Sequence, residues 1–305
     1  LLPCKDLAYF QVVADGETEF RIRTAYRLSA KSTLRQDMVF YAHSPRVDFE
    51  TVVDWNDPHR LLKAAFDVSV GSDFATQEIQ YGNLKRSTKR NTTIEQAAFE
   101  VCNHKYTDLS EPNYGVAILN DCKYAIGVNG SNMTLTLHKG GAKPDPRGDA
   151  GVHCFTYGFL PHSGDFSREN AIAGGYELNY PVLWAVGGKT NGTLFAIDRT
   201  NIIAEAVKPC EETQRAFILR LYEAEGTYTN AKLTPCRAVT GMTLEYLQIE
   251  TREAAHKHAY RLTATKESTC KEAGYNTYTC HCGDSYNEPL EKVAHTYGAW
   301  NEAGC

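Results

Sequence analysis

The stretch that decides the fold is His104–Gly127, which reads HKYTDLSEPNYGVAILNDCKYAIG. Its first half is polar and is interrupted by Pro112 and Gly115, which predicts a loop. Its second half opens with the apolar run Val116–Leu119, which is short enough to be a buried strand. We therefore predict a loop that leads into a strand of the core.

Three polar side chains, Asn120, Asp121 and Lys123, follow this strand within four residues. A polar group packed against a buried strand costs about 1–3 kcal/mol unless it is hydrogen-bonded. These side chains therefore belong either to a local network at the strand end or to a site that holds a ligand. The residues alone leave both interpretations open.

The composition is that of a globular protein. The chain has 305 residues, of which 42% are hydrophobic and 23% charged, with a formal net charge of −5 and a pI near 6.1. That balance gives no electrostatic argument for nucleic-acid binding. No apolar run approaches the roughly 20 residues that span a bilayer, so we predict neither a nucleic-acid partner nor a membrane span.

Alternating apolar and polar residues predict strands. The alternation is clear at 20–28 and 47–53, with a further strand at 34–41 between them. Two alternating runs within 124–137 flank Asn129–Gly130, residues that tolerate the positive φ of a tight hairpin. The remaining predicted strands lie at 57–70, 99–102, 153–160, 193–207, 216–222, 243–250 and 258–262. The pattern predicts an antiparallel, β-rich fold.

Three further segments are predicted to lack regular structure. Residues 83–96 are polar and basic, without the interleaved aromatic residues of a nucleic-acid surface. Residues 138–149 contain a glycine pair and two prolines, which are typical of a surface loop. Residues 163–181 are polar and contain glycine, so we predict little helix or strand there.

Several longer motifs occur together in a fixed order. Within the opening stretch they are DLSE at Asp108–Glu111, YGVA at Tyr114–Ala117 and LNDCKY at Leu119–Tyr124. The others lie at Val53–Trp55, His59–Lys63, Thr76–Gly82, Phe155–Tyr157, Pro161–His162 and Leu219–Ala224. Between about residues 20 and 225, the chain resembles the C-terminal half of glycoside hydrolase family 38, the class II α-mannosidases.

The resemblance implies an all-β fold, the large antiparallel β-sandwich, or supersandwich, of that C-terminal half. It also implies domain boundaries. Residues 1–225 would form the supersandwich, 226–262 terminal strands or a small β-domain, and 263–305 a small cysteine-containing module.

In that family the chemistry lies on an N-terminal α/β barrel. The resemblance therefore implies that the zinc ligands, the nucleophilic Asp and the acid/base Asp precede Leu1. No catalytic residue and no metal ligand is assigned within this chain, and zinc is expected only on the barrel. The first residues, Leu1–Cys4, show no initiator Met and no signal segment, which favours a truncated chain.

By resemblance, the whole protein would be a retaining, exo-acting α-mannosidase that removes terminal α-linked mannose from glycans. Its partners would be mannose-containing glycans and its own barrel domain. This portion would complete one wall of the substrate pocket, and the candidates for that wall are Asn120, Asp121 and the loop at Lys139. The family usually has Arg where this chain has Lys139, and Lys lacks the planar fork of Arg. A solvated loop is the alternative for that segment.

Two other functions are open. One is a non-catalytic carbohydrate-binding or structural β-module, which exposed aromatic platforms would favour. The other is independent hydrolysis by Asp108, Glu111 or Asp121, which would require two carboxyl groups roughly 5–5.5 Å apart for a retaining reaction.

The tail after residue 262 has a different composition. It resembles small cysteine-containing repeats of bacterial surface and secreted proteins, which favours an exported protein, with a cytoplasmic one as the alternative. Cys270, Cys280, Cys282 and His295 offer thiolate and imidazole groups that could bind a metal. The C-x9-C-x-C spacing is not that of a standard zinc ribbon, so a disulfide or spacer role is favoured.

Overall fold

A computed structural model describes residues 3–184, 186–187, 192–211, 216–235, 260–269, 271–280 and 285–292. The chain divides into two compact units, Leu1–Leu244 and Glu245–Cys305. The predicted boundaries near residues 225 and 262 stay predictions.

The described residues are mostly antiparallel strands. In chain order, the strands of the first half are β1 (Leu7–Asp15), β2 (Glu19–Arg27), β3 (Thr33–Tyr41), β4 (Ser44–Trp55), β5 (Leu61–Asp67), β6 (Phe74–Ile79), β7 (Gly82–Ser87), β8 (Val101–Cys102), β9 (Tyr106–Glu111) and β10 (Tyr114–Asn120). Those that follow are β11 (Ala125–Asn129), β12 (Asn132–Lys139), β13 (Gly151–Ser163), β14 (Phe195–Ile197), β15 (Ile202–Pro209), β16 (Phe217–Glu223), β17 (Leu233–Pro235), β18 (Arg261–Lys266), β19 (Gly274–Thr279) and β20 (Ser285–Leu290).

The first unit is built on two sheets. The main sheet has nine strands in the order β1-β2-β3-β4-β13-β10-β9-β6-β7, and the small sheet has four in the order β5-β12-β11-β8. Neighbouring strands are antiparallel in both sheets. β14 pairs with β17, and β15 pairs with β16, as separate two-stranded ribbons.

A hydrophobic core fills the space between the two sheets. The main sheet contributes Val53, Leu109 and Ile118, and the small sheet contributes Ile126 and Leu135, all of them buried. Because side chains alternate between the faces of a strand, one face of each sheet supplies this core. The predicted all-β antiparallel sandwich is confirmed.

The outer face of the main sheet is covered over β9, β10 and β13. A π-helical turn, Arg168–Ile172, continues as helix α2 (Ala173–Asn179) and packs there, as do residues of β15 and β16. Helix α2 approaches the sheet closely at Gly174. A Cβ at Gly174 would lie 2.6 Å from Leu160 Cδ2, so a larger residue there would require the Leu160 side chain to move. The other helix among the described residues, α1, is short and spans Thr93–Ala97.

Three sequence predictions were wrong. The first half of the opening stretch is β9 and not a loop, because its polar residues pair with β10 and are buried. Residues 83–96 contain β7 and α1 in place of a continuous loop, and Thr92 caps α1 through a capping box with Glu95. Residues 163–181 contain the π-helical turn and α2, which the apolar outer face of the main sheet stabilises.

Most predicted strands are confirmed, including the hairpin of β11 and β12 around Asn129–Gly130. The predicted strand at 193–207 is two strands, β14 and β15. The predicted strand at 243–250 lies outside the described residues.

In the second unit, β18, β19 and β20 form a three-stranded antiparallel sheet. Cys280 is buried, whereas Cys270, Cys282 and His295 lie outside the described residues. The alternatives of metal, disulfide and spacer for this module therefore stay predictions. No helix in the described part of the chain has the length and hydropathy of a membrane span.

Candidate functional site

The polar residues after β10 form a tight turn in which Asn120 is fully buried. Its Nδ2 donates to the carbonyl oxygen of His104 at 2.5 Å, and its Oδ1 accepts from the backbone N–H of Lys123 at 2.9 Å. Both ends of the amide therefore shape the turn at residues 120–123. This is the local network that the sequence left open as one of two interpretations.

Asp121 ties this turn to β13. Its backbone N–H donates to the Thr156 carbonyl oxygen at 3.2 Å, and its Oδ2 accepts from the Thr156 N–H at 2.8 Å. Its other oxygen, Oδ1, is buried and accepts from no N–H or O–H group among the described residues. Burial raises the pKa of Cys122 to about 11, and a hydrogen bond to the Asp121 carboxylate and the charge of that carboxylate act in the same direction, so this thiol is protonated at neutral pH.

Lys123 supplies a positive charge in the same turn. Its Nζ lies 4.3 Å from the centroid of the Phe155 ring on β13. An ammonium held over an aromatic face is stabilised by the ring quadrupole, by about 0.5–1 kcal/mol at an exposed site. Lys123 and Asp121 therefore both contact β13, through Phe155 and Thr156 respectively.

Two histidines and a tryptophan extend the polar region. The ring centroids of His138 and His153 are 4.4 Å apart, and those of Trp55 and His138 are 5.0 Å apart. His153 Nε2 donates to the Asp149 carbonyl oxygen at 2.7 Å. His138 Nε2 and Trp55 Nε1 are both buried without a hydrogen-bond partner in the described part of the chain.

The His138 imidazole is neutral at neutral pH. Burial lowers its pKa to about 4, and the charges of His153 and Lys123 act in the same direction. A neutral imidazole can donate or accept a hydrogen bond, depending on its tautomer. The region therefore combines one carboxylate, one ammonium and one neutral imidazole, a set that suits hydroxyl groups.

Lys139 is the last residue of β12 and is exposed. It lies close enough to Glu100 for its charge to act on that carboxylate. Burial acts to raise the pKa of Glu100, but a hydrogen bond from Lys63 at 2.6 Å, another from Thr136 and the charge of Lys139 lower it overall. Among the three predicted wall residues, the structure therefore joins Asn120 and Asp121 in one turn and places Lys139 with Glu100.

The geometry argues against independent hydrolysis by the carboxylates named above. Asp108 is buried and accepts hydrogen bonds from His162 Nε2 at 2.7 Å and Ser110 Oγ at 2.6 Å. It is paired with Ala117, four residues before Asp121. At about 3.3 Å per strand residue, the backbones of Asp108 and Asp121 are roughly 13 Å apart along the sheet, whereas a retaining pair needs carboxyl groups roughly 5–5.5 Å apart. Glu111 is three residues from Asp108 on β9, and side chains at that spacing lie on opposite faces of a strand.

The described residues contain no group of three or more His, Cys, Asp or Glu side chains that could hold a metal ion. The residues described here therefore offer no ligand set for zinc, which the family resemblance places on the barrel domain.

Sequence reasoning noted Lys123 among the polar residues after the strand but did not name it as a wall residue, and it did not single out His138, His153 or Trp55 as site residues. One signal was present, because the two histidines flank the predicted loop after β12. The contact of His138 with Trp55 follows a register shift between Thr136 and His138 in the pairing of β12 with β5. A β-bulge of this kind re-aims side chains and leaves no reliable trace in the sequence.

Comparison with known proteins gives a consistent result. Residues 5–147 match the profile described as the glycosyl hydrolases family 38 C-terminal domain. Human alpha-mannosidase 2C1 is 39% identical over 68% of this chain and 20% of its own length. Alpha-mannosidase of Saccharomyces cerevisiae is 30% identical over 83% of this chain and 24% of its own length. The chain thus spans about a fifth to a quarter of the length of these two relatives.

Among solved structures, an alpha-mannosidase from Enterococcus faecalis V583 shares the fold with a TM-score of 0.65. The match covers 74% of this chain and 31% of that one, at 14% sequence identity. At this identity the similarity establishes the fold alone, and it agrees with the sandwich described above.

Proposed function

The chain belongs to glycosyl hydrolase family 38 and carries its C-terminal domain, and from this membership we propose that it is part of a retaining, exo-acting α-mannosidase. The whole protein would hydrolyse terminal α-linked mannose from glycans. The observation that carries this proposal is the 39% identity to a human alpha-mannosidase over 68% of the chain. That similarity favours an enzyme portion over a non-catalytic carbohydrate-binding or structural module.

The catalytic groups would lie on a barrel domain outside this chain. In a retaining reaction one carboxylate attacks the anomeric carbon, and a second carboxyl group acts first as acid and then as base. Zinc, expected on that barrel, would hold sugar hydroxyls. The proposal is supported by the share of the relatives that this chain covers, about a fifth, and by the positions of Asp108 and Asp121, which are too far apart to act as a pair.

In this proposal the β-sandwich contributes one wall of the sugar pocket. Asp121 is its central residue, because one carboxylate oxygen is committed to Thr156 while the other accepts from no N–H or O–H group among the described residues. Lys123 and neutral His138 would add a cation and a neutral hydrogen-bonding group. Asn120 would shape the turn. Lys139 would contribute its charge from the end of β12.

The variant Asp121→Asn in the complete protein tests this wall. The amide oxygen can still accept from the Thr156 N–H, so we expect the free energy of unfolding to fall by less than about 1 kcal/mol. Because the negative charge is removed, kcat/KM for 4-nitrophenyl α-mannoside should fall about tenfold, which corresponds to about 1.4 kcal/mol.

The matched control is Asp73→Asn, at an exposed residue whose carboxylate pairs with Lys89. It should change neither kinetic constant. Unchanged kcat and KM in Asp121→Asn, together with a lower unfolding temperature, would remove Asp121 from the pocket and leave it a structural residue.

A further inference from the structure

A second polar cleft lies on the first unit, next to the Asn120 turn but formed by other residues. Its volume is about 350 Å³, within the roughly 300–1,000 Å³ of small-molecule sites. It opens between the β6–β7 turn, the residues that begin β9 and the end of α2. Tyr124 and Asn179, which line it, hydrogen-bond the backbone carbonyl oxygens of Asp121 and Asn120 at 3.3 and 3.0 Å.

Two tyrosines present aromatic surface at this cleft. Tyr124 is 46% exposed and Tyr180 is 58% exposed. Tyr180 stacks on Tyr176, with ring centroids 5.5 Å apart and an interplanar angle of 21°, and Tyr124 lies 4.9 Å from the His104 ring. Because their neighbours already fix both rings, little further conformational entropy is lost when a ligand covers them.

The floor of the cleft is an ion pair. Glu78 is 2% exposed and accepts from Lys105 twice, from Nζ at 2.7 Å and from the backbone N–H at 2.5 Å. Burial acts to lower the pKa of Lys105, but the hydrogen bond and charge of Glu78 raise it overall, so the ammonium stays charged. Lys105 Nζ lies 4.7 Å from the Tyr176 ring and 5.9 Å from the Tyr180 ring.

The remaining polar groups decide which ligand fits. Glu205 accepts from the Tyr176 hydroxyl at the rim, so the cleft has two carboxylates against one ammonium, a balance that disfavours an anion. Gln80 Nε2 lies 3.0 Å from His104 Nε2, and the amide adds a neutral hydrogen-bonding group. Carboxylates accept and the ammonium donates, so a ligand that does both over a short distance is suited to the site.

We propose that this cleft binds a neutral hexose unit of an oligosaccharide. Sugar hydroxyls donate to Glu78 and Glu205 and accept from Lys105, while C–H groups of the sugar pack on both Tyr124 and Tyr180. The contacts to Asn120 and Asp121 set this subsite beside the proposed wall. That the sugar is mannose rests on the proposed function, whereas the cleft's preference for a neutral saccharide rests on its own residues.

The experiment is calorimetric titration of the 305-residue chain with α-1,2-mannobiose and with maltose. It is repeated on Tyr124→Ala and Tyr180→Ala, and on Tyr228→Ala as the matched control, because Tyr228 is 94% exposed and does not line the cleft. Stacking on one ring contributes about 0.5–1.5 kcal/mol, so each cleft variant should raise Kd roughly two- to twelvefold. The control should bind like the unmodified chain.

Mannobiose binding that weakens in both cleft variants, and not in the control, supports the proposal. Maltose binding with the same dependence on Tyr124 and Tyr180 also supports a saccharide cleft, while it counts against mannose as the sugar and so against the proposed function. Failure of both sugars to bind, or equal affinity in all variants, overturns the cleft and leaves the proposed function intact. The cleft tyrosines are exposed, and an unchanged unfolding temperature verifies that the variants fold.

Discussion

Single side chains in this domain show how burial and partners set charge, and His162 is the clearest case. Burial acts to lower its pKa, but the hydrogen bond to Asp108 at 2.7 Å and the charge of that carboxylate raise it above 6.5. His138 lies buried against Trp55, and burial lowers its pKa to about 4. The same side-chain type therefore has a raised pKa beside a carboxylate and a lowered pKa where it is buried without one.

The His162–Asp108 pair predicts a pH-dependent contribution to stability. A group whose folded pKa is raised stabilises the protein fully below its unfolded pKa, near 6.5, and loses this effect as the pH rises through its folded pKa. We expect the difference in unfolding free energy between the unmodified chain and His162→Gln to shrink steadily above pH 6.5. Urea unfolding from pH 6 to 9 measures it.

The control is His43→Gln, because His43 is exposed on the turn between β3 and β4. Its unfolding free energy should follow that of the unmodified chain at every pH. A His162→Gln difference that stayed constant or grew with pH would refute a raised pKa for His162.

The sequence located part of the candidate site at this scale. Asn120 and Asp121 were visible because polar residues directly after an apolar strand require partners. The partner of Asp121 is the backbone N–H of Thr156, which lies 35 residues further along the chain. Such pairing depends on strand order, so no local pattern could reveal that one carboxylate oxygen is committed and the other is not.

At the scale of elements, the sequence predicted correctly those strands and turns whose conformation is set by residues close together in the chain. The β11–β12 hairpin was predictable because Asn129–Gly130 supplies the turn, with Gly130 at φ +57°, and alternation supplies the strands. β9 was missed because its Thr107 and Asp108 look like loop residues but are buried by β10 and by His162. Helix α2 was missed because its packing depends on the sheet.

The close packing of β10 against β13 gives a second prediction. A Cβ at Gly115 would lie 2.4 Å from His162 Cε1 and 2.6 Å from Ser110 Cβ, closer than real Cβ atoms come. The added methyl group must displace the imidazole from Asp108. We expect Gly115→Ala to lower the free energy of unfolding by about 1–3 kcal/mol or more, as measured by urea unfolding.

Gly82→Ala serves as the comparison, because no atom lies within 4 Å of the position where its Cβ would be. This change on β7 should stay within about ±0.5 kcal/mol, as is usual for surface substitutions. Equal effects of the two variants would mean that β10 and β13 are not packed as described.

At the scale of the whole molecule, the family could be identified from the sequence because several long motifs keep their order over some 200 residues. The wall and the cleft could not be predicted completely, since both are assembled from strands that are distant in sequence. The chain corresponds to about a fifth of its human relative. In our account it is a β-sandwich that supports catalysis carried out by another part of the protein.

The most direct test of that account is release of 4-nitrophenol from 4-nitrophenyl α-mannoside in the presence of zinc. The 305-residue chain and the extended gene product are assayed side by side at equal concentration. We predict hydrolysis by the extended protein and none above background by the 305-residue chain. Hydrolysis by the 305-residue chain alone would contradict the account, because the carboxylates would then have to act within this domain.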